Sequence, residues 1–585
     1  MVVATTKVPS GARKHCSPAR LLAVAAVFLS FTVDSFARYP VPGPNESHYL
    51  CKAKHYWNPE WCRGDLFLSS SNAHLVFYQT FGLLTRWFSL ETTAIVGRLA
   101  GLLILAAGWT ALVAVLVPGR WPALWAAWIF LALSAVGNLS GEWLVGGIEA
   151  KVVAYGLLFA AMATAIGGPA SRDHRQILLA GVLAGLAISF HPVVGIWGLA
   201  AAVFASLMRA LFAASCSSPK EQGTDGVAEG TKAGVSWSWY VAAVSALVIL
   251  AAPGVIAGLR AAAGSSVVAD YIQVYYRLAH HLDPVHFPEW VWIGDWVNRL
   301  ASIVHLPPVH FAGWAWVAYG ALACLWLFGR PWMSRREPEK WFFWFVIGSG
   351  LVALAGFLVG WRFGPPEHVR NYLLPWRWLG YPLRWKLLKL YPFRLFDVML
   401  PIAVAVTLAG LARRWCERAC QPPNARHRRT VPLIWVLCGA PALVACLSVA
   451  PDARPQMSAA ELADWLDVCR WIERNTPPNA LILTPTQESW AFKWYAQRAE
   501  FVSYKDCPQD GPGIIEWNKR LLFLADWSER HLEKGYTAAE LAPFRELGIT
   551  YIVALRLGPF DFKPVYRNAT FRVYRIPDDA RRPNS

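Results

Sequence analysis

Stretches of about twenty apolar residues, the length at which a helix crosses the hydrocarbon core of a bilayer, recur along this chain and constrain its fold more than any other feature. They centre near residues 29, 105, 130, 160, 184, 204, 249, 320, 351, 404 and 440 and are bounded by polar residues or by Gly and Pro. About eleven membrane spans are therefore expected. The pair near 184 and 204 is parted only by "SFHPVVGIW" and reads either as one hairpin or as a broken helix. Composition agrees, with 55% of the 585 residues hydrophobic and 16% charged, against roughly a quarter charged in soluble domains. The 32 tryptophans suit a chain with many water–lipid boundaries.

The N-terminal "KVPSGARKHCSPARLLAVAAVFLSFTVDSFA" joins a basic flank to a short apolar core. No clean small-x-small cleavage site follows, so it reads as a retained signal-anchor. Arg13, Lys14 and Arg20 hold the N-terminus in the cytoplasm, and strict alternation then places "SRDHR" (171–175), "RPWMSRREPEK" (330–340) and "RRWCERACQPPNARHRR" (413–429) inside as well. The expected organisation is a cytoplasmic tail over 1–19, a transmembrane region over 20–450 and an extracytoplasmic domain over 451–585. The outer loops fall at 38–91, 137–151, 262–310 and 362–394. A bacterial inner or plasma membrane is the expected location. The net charge of +17 is read as cytoplasmic anchoring and attraction to anionic lipid, which leaves no call for a nucleic-acid partner.

After residue 455 the pattern changes. "SAAELADWLDVCRWIERN" is an amphipathic helix with Ser458 as N-cap and Glu461 three residues on. "ALIL", "AEFVSYK", "TYIVAL" and "TFRVYRI" read as strands, and "QESWAFKWYAQR", 513–530 and 537–547 as helices. Such alternation predicts a small α/β domain with a partly parallel sheet. It carries no glycine-rich phosphate loop.

The unusual polar residues gather on the outer face. In the first loop, "PNESHYLCKAKHYWNPEWCRGDLF" offers Glu46 and Asp65 among His48, Tyr49 and other rings. A general base must be a carboxylate within hydrogen-bond reach of its proton; solvated loop acids, or partners for Lys52, Lys54 or Arg63, are the plainer roles. "GEWLVGGIEAKVVAYG" brings Glu142, Glu149 and Lys151 to the start of the fourth span, where ionisable groups face a cavity or pair with one another. Glu149 and Lys151 are two residues apart, a spacing that diverges on a helix, so each is expected to pair elsewhere. His191 sits at a helix end before Pro192, as a cap or as a contact to substrate. His280, His281 and His286 match no standard metal spacing. The stretch 362–394 carries Arg362, Arg370, Arg377, Arg384, Lys386, Lys389 and Arg394 against the single acid Glu367. Arg370 and Arg394, each beside a span, are the candidates for gripping a phosphate. Cys51 with Cys62, and Cys469 with Cys507, are disulfide candidates on the oxidising side.

A retained first helix, an outer loop opening on an acid ("NESHY"), an acidic second outer loop, basic residues ahead of a late span ("YPFRLF") and an outer terminal domain together resemble the GT-C class of integral-membrane glycosyltransferases. The likeness implies a polyprenyl-phosphate sugar as donor, an acid of the first loop as base and arginine on the donor phosphate. Carried onto this chain, Glu46 takes the base position and Arg370 or Arg394 the phosphate contact. Members of the class often show two adjacent acids where this chain has Asn45–Glu46, which leaves Asp65, Glu142 or Glu149 for the second acidic role. His48, Tyr49, Lys151 and His191 are then substrate contacts. No metal and no cofactor beyond the lipid-linked sugar is expected, and the acceptor is a glycan, a lipid or a protein. The transfer would invert the sugar carbon. A transporter or flippase, and a non-catalytic membrane assembly protein, are the alternatives; no repeat is visible and the ionisable residues crowd one face, which disfavours a transporter.

Overall fold

Helices form at every one of the eleven expected places in the computed structural model of the chain. The structure describes residues 18–136, 140–171, 174–215, 236–276, 314–329, 336–360, 380–419, 430–447, 449–450, 453, 455, 457–486, 489–530, 537–555 and 560–577. Arg370, His280, His281, His286 and Arg362 lie outside them. The helices at the apolar runs are α1 (Pro18–Arg38), α5 (Leu90–Leu116), α6 (Pro122–Val136), α7 (Ala150–Ser171), α8 (His174–Phe190), α9 (Pro192–Ser215), α10 (Trp237–Ala262), α12 (Trp314–Gly329), α13 (Glu337–Gly360), α15 (Arg394–Ala419) and α16 (Thr430–Cys446). Between them lie α2 (Glu46–Trp57), α3 (Leu66–Ser69), α4 (Leu75–Gln79), α11 (Val267–Tyr276) and α14 (Gly380–Lys389).

Among the described residues, seven of these helices are long and apolar enough to cross a bilayer, and four shorter apolar helices stand at the remaining places. Large aliphatic side chains point outward along α10 (Val241, Val244, Val248, Ile249, Leu259) and α16 (Val436, Leu437, Leu443, Val444). Such faces are stable against lipid and not against water. The chain is an integral, multi-pass membrane protein. Its central core joins α1, α5, α6, α7, α13 and α15 around Phe31, Trp109, Phe159, Phe345 and Leu400.

The α8/α9 ambiguity resolves into two helices divided at His191. Pro192 opens α9, where a missing backbone N–H breaks no helical bond.

The C-terminal part opens on α17 (Ala459–Asn475), capped as its sequence predicts: the Glu461 amide donates to Ser458 Oγ at 3.2 Å, and the Ser458 amide to Glu461 Oε2 at 2.7 Å. The sheet runs β2 (Ala499–Glu500), β1 (Leu481–Leu483), β3 (Ile549–Ala554), β5 (Arg572–Arg575), β4 (Tyr566–Arg567). β1 is parallel to β2 and β3, while β5 is antiparallel to β3 and β4, so the sheet is partly parallel. Along β3, Ile549, Ile552 and Ala554 pack beneath α19 (Gly511–Arg530), and Tyr551 and Val553 pack toward α17. The helix expected over "QESWAFKWYAQR" contracts to α18 (Phe492–Ala496), because Ala491 and Gln497 at its ends take left-handed backbone conformations (φ 50° and 51°).

Candidate active site

Three chain segments meet where α7 and α15 begin. α15 starts with Arg394, and Asp397 follows one turn later on the same face. Asp397 Oδ2 accepts from the Ser140 amide (2.8 Å), the Ser140 hydroxyl (3.0 Å) and the Glu142 amide (3.1 Å), and the Tyr319 hydroxyl donates to Oδ1. The segment around 140–142 is thereby fixed by its backbone. From it, Glu142 Oε2 reaches Arg394 Nε at 3.0 Å and Lys151 Nζ at 3.3 Å. Glu142 Oε1 is buried and has no hydrogen-bond partner among the described residues.

Lys151 also meets Glu149 Oε2 at 3.4 Å. This corrects the expected divergence of the two: α7 begins only at Ala150, so Glu149 stands ahead of the helix and turns back toward Lys151. Asn45 donates to Glu149 Oε1 at 2.7 Å. Burial raises the Glu149 carboxyl above its ordinary pKa, with Lys151 and Asn45 pulling it part of the way back. On the far side Arg394 Nη1 donates to His191 Nε2 at 2.9 Å. His191 stacks near His74 (ring centroids 5.1 Å apart), whose Nε2 lies 3.1 Å from the Tyr49 hydroxyl. Burial first, and then the Arg394 cation, push His191 well below its usual range and His74 down to about 3. Both rings are neutral at physiological pH, so His191 can accept the arginine's hydrogen. Glu142, Glu149, Lys151 and His191 are each no more than 6% exposed. Two acids, two cations and two neutral imidazoles pack into one largely buried cluster.

The structure takes the other expected acids elsewhere. Glu46 is fully buried, and both its oxygens are engaged: Arg98 Nε and Nη2 donate to Oε1 and Oε2 at 2.6 Å each, the Gly43 amide to Oε2 at 2.7 Å and the Ile148 amide to Oε1 at 2.7 Å. With four donors on it, this carboxylate is a tie between the first loop and the start of α7, and it has no free face for a substrate proton. Asp65 caps α3 through the Leu68 amide (2.9 Å) and accepts from the Glu500 amide (3.1 Å). His48, expected among the substrate contacts, points instead to Asp506 (Nδ1–Oδ1 2.9 Å).

His48 and Asp65 belong to a second buried cluster, between the first loop and the C-terminal domain. Lys493 Nζ stands 2.9 Å from Glu500 Oε2 and 3.3 Å from Asp65 Oδ2, and pairs closely with Asp506. Burial opposes the Lys493 charge, but the three carboxylates more than offset it and hold the lysine well above its ordinary range. Among the described residues no three His, Cys, Asp or Glu side chains converge in a way that could hold a metal.

The cysteine pairings are corrected too. Cys469 packs with α17 on one face of the sheet and Cys507 with α19 on the other, so the sheet separates them. Cys51 and Cys62 share the core under the first loop as free thiols, and burial raises both above the usual thiol range.

Sequence reasoning passed over Arg98, Asp397, Lys493 and Asp506. Arg98 and Asp397 carried a usable signal, since each is a charge within a largely apolar membrane helix and such charges seek partners. His74 and the two residues of the domain cluster had none beyond residue type.

A multi-pass membrane protein with a largely buried cluster of charges where its helices begin is the class that fold and site define. A family model described as a domain of unknown function, DUF6798, matches residues 463–523, within the C-terminal domain. No curated protein sequence matches the chain. Solved structures similar to it include ArnT from Cupriavidus metallidurans in the apo state (12% identity, 94% of this chain and 97% of that one, TM-score 0.48). ArnT bound to undecaprenyl phosphate follows at 14% identity and TM-score 0.46, with the same coverages. The oligosaccharyltransferase of Archaeoglobus fulgidus with zinc and sulfate is 12% identical, over 90% of this chain and 67% of that one, with TM-score 0.40. Likeness at this level leaves the chemistry to be read from this chain's own residues.

Proposed function

We propose that the protein is a membrane glycosyltransferase that moves a sugar from a polyprenyl-phosphate donor to an acceptor on the extracytoplasmic side. The observation that carries this reading is the convergence of Arg394 and Lys151 on one oxygen, at 3.0 and 3.3 Å. Two cations aimed at a single anionic atom in a buried site form a seat for phosphate, and charge-assisted bonds there are strongest where water is excluded. Transfer would break the bond between the sugar C1 and the donor phosphate oxygen and form one between C1 and the acceptor oxygen. The bonding pair leaves with the phosphate, whose growing charge Arg394 and Lys151 stabilise.

The acceptor's proton goes to Glu149. Burial raises its pKa and Asn45 orients it; a base is most effective when it titrates near the working pH. Glu46, held by four donors, is assigned no chemical step. Attack opposite the leaving phosphate inverts C1.

Purified protein in proteoliposomes, given a panel of labelled undecaprenyl-phosphate monosaccharides and a membrane extract as acceptor, tests this. Cleavage of the donor with label transferred is expected, reduced roughly 10²–10⁴-fold by Glu149→Gln and abolished by Arg394→Ala. Passage of intact donor across the bilayer without cleavage would make the protein a transporter instead.

A further inference from the structure

We propose that Glu142 is a built-in stand-in for the polyprenyl phosphate monoester that transfer releases and sets the specificity of the Arg394–Lys151 seat, an inference that rests on the transferase reading above. Its Oε2 occupies the point on which both cations converge. Its Oε1 lies buried with no partner among the described residues, an arrangement that costs the folded protein desolvation and returns no hydrogen bond. Glu46, by contrast, has both its oxygens engaged.

The anchoring of the segment separates backbone from side chain. Asp397 holds the Ser140 and Glu142 amides, while Arg394, one turn back on the same helix, holds the Glu142 carboxylate. The carboxylate can therefore rotate out of the seat while its backbone stays in place. Lys151 keeps Glu149 as a partner during the exchange, and Arg394 keeps His191, so neither cation is left bare.

Selectivity follows from the competition. A ligand must outbid an intramolecular carboxylate already in position. Polyprenyl phosphate, the monoester that transfer leaves behind, has more negative charge than a carboxylate and three acceptor oxygens, and does so; a lipid carboxylate, chemically equal to the resident group but also bearing the cost of association, does not.

The test measures binding of undecaprenyl phosphate, undecaprenol and stearate to the full-length protein and to Glu142→Gln. The substitution should tighten undecaprenyl phosphate by roughly ten- to hundredfold, the worth of displacing one charge-assisted contact. It should also admit stearate, which the wild type rejects, and leave undecaprenol unchanged. Equal phosphate affinity in the two proteins, or stearate bound equally by both, overturns the stand-in role while leaving the seat intact. Undecaprenyl phosphate that binds no better than undecaprenol to either protein, and is indifferent to Arg394→Ala, removes the seat itself. Should Glu142→Gln fail to fold, a cryo-electron microscopy structure of the wild type with undecaprenyl phosphate decides. Phosphate on Arg394 and Lys151 with the Glu142 side chain turned away is expected; phosphate there with Glu142 still on Arg394 refutes the exchange.

Discussion

Glu46 and Glu149 show how environment divides the work of two acids. Arg98 gives Glu46 a bidentate partner in a fully buried site. Breaking a buried pair from one side strands the other charge, at about 3–5 kcal/mol. Glu46→Gln and Arg98→Met should each lower the melting temperature in detergent and the yield of inserted protein. Glu46→Gln at wild-type melting temperature but without activity would return Glu46 to the chemistry. Glu149 yields a prediction of another kind. Its folded pKa is raised, chiefly by burial, and Asn45 is one of the groups lowering it. As a base it acts only when ionised, so the acid limb of kcat/KM should lie above the ordinary glutamate value of 4.5. Asn45→Ala removes a lowering interaction and should shift that limb to higher pH, with activity recovered as pH rises. The same raised pKa means that protonated Glu149 favours the folded state, a contribution present below the unfolded pKa and lost as pH rises through the folded one. An acid limb that stays put in Asn45→Ala would show that some other group is the base.

Helices bring these residues together, and at one crossing they do so without side chains. α5 and α7 touch through Gly108 and Gly156: a Cβ on Gly156 would come within 2.9 Å of the Ile104 and Leu105 backbone, and one on Gly108 would strike the Gly156 carbonyl. Small residues let membrane helices approach backbone to backbone, and α7 is the helix that carries Lys151 in its first turn, with Glu149 just ahead of it. Gly156→Val should push α7 away from α5, lowering both melting temperature and transfer, whereas Gly167→Ala, far from that crossing and near only the Gln176 side chain, should leave both unchanged. Normal stability and transfer in Gly156→Val would mean the helices have room to spare. The elements were legible in the sequence where one physical rule dominated. Twenty apolar residues need a membrane, Ser458 with Glu461 is a capping box, and the short, nearly continuous apolar run Ile549–Ala554 marks a strand buried on both faces. The short elements were not: the length of α18 depends on left-handed turns at Ala491 and Gln497, residues with no intrinsic bias to that conformation. In the site, Glu142, Glu149, Lys151, His191 and Arg394 were visible as charges or rings where charge is costly. That Glu46 was tied on both oxygens was not, because that depended on Arg98, whose partner lies 52 positions away.

At the scale of the whole molecule the two parts of the chain are joined by charge. His48 and Asp506 are 458 positions apart, a separation at which no local pattern hints at contact. Yet His48 adjoins Tyr49 on α2, so one short helix presents one residue to the domain cluster and the next to the pocket. Lys493 is the centre of that cluster, and its loss leaves Asp65, Glu500 and Asp506 buried without the cation they share. Repulsion among them should expel the domain from the first loop. Lys493→Met is accordingly expected to raise amide hydrogen exchange in 46–79 and 481–510 and to reduce transfer, while α13 and α16, distant in the membrane region, keep their protection. Pairing it with Asp506→Asn and Glu500→Gln removes most of the stranded charge, since replacing a buried ionic group whole is far less damaging than halving it; docking and exchange protection should then return in large part. Transfer recovering together with docking would mean that the domain acts on the pocket through α2. Docking restored with transfer still lost would place a direct chemical role on Lys493 or its acids, and unchanged exchange in the single variant would show that the apolar contacts of Phe67 and Trp494 with the shared core hold the domain without the charges.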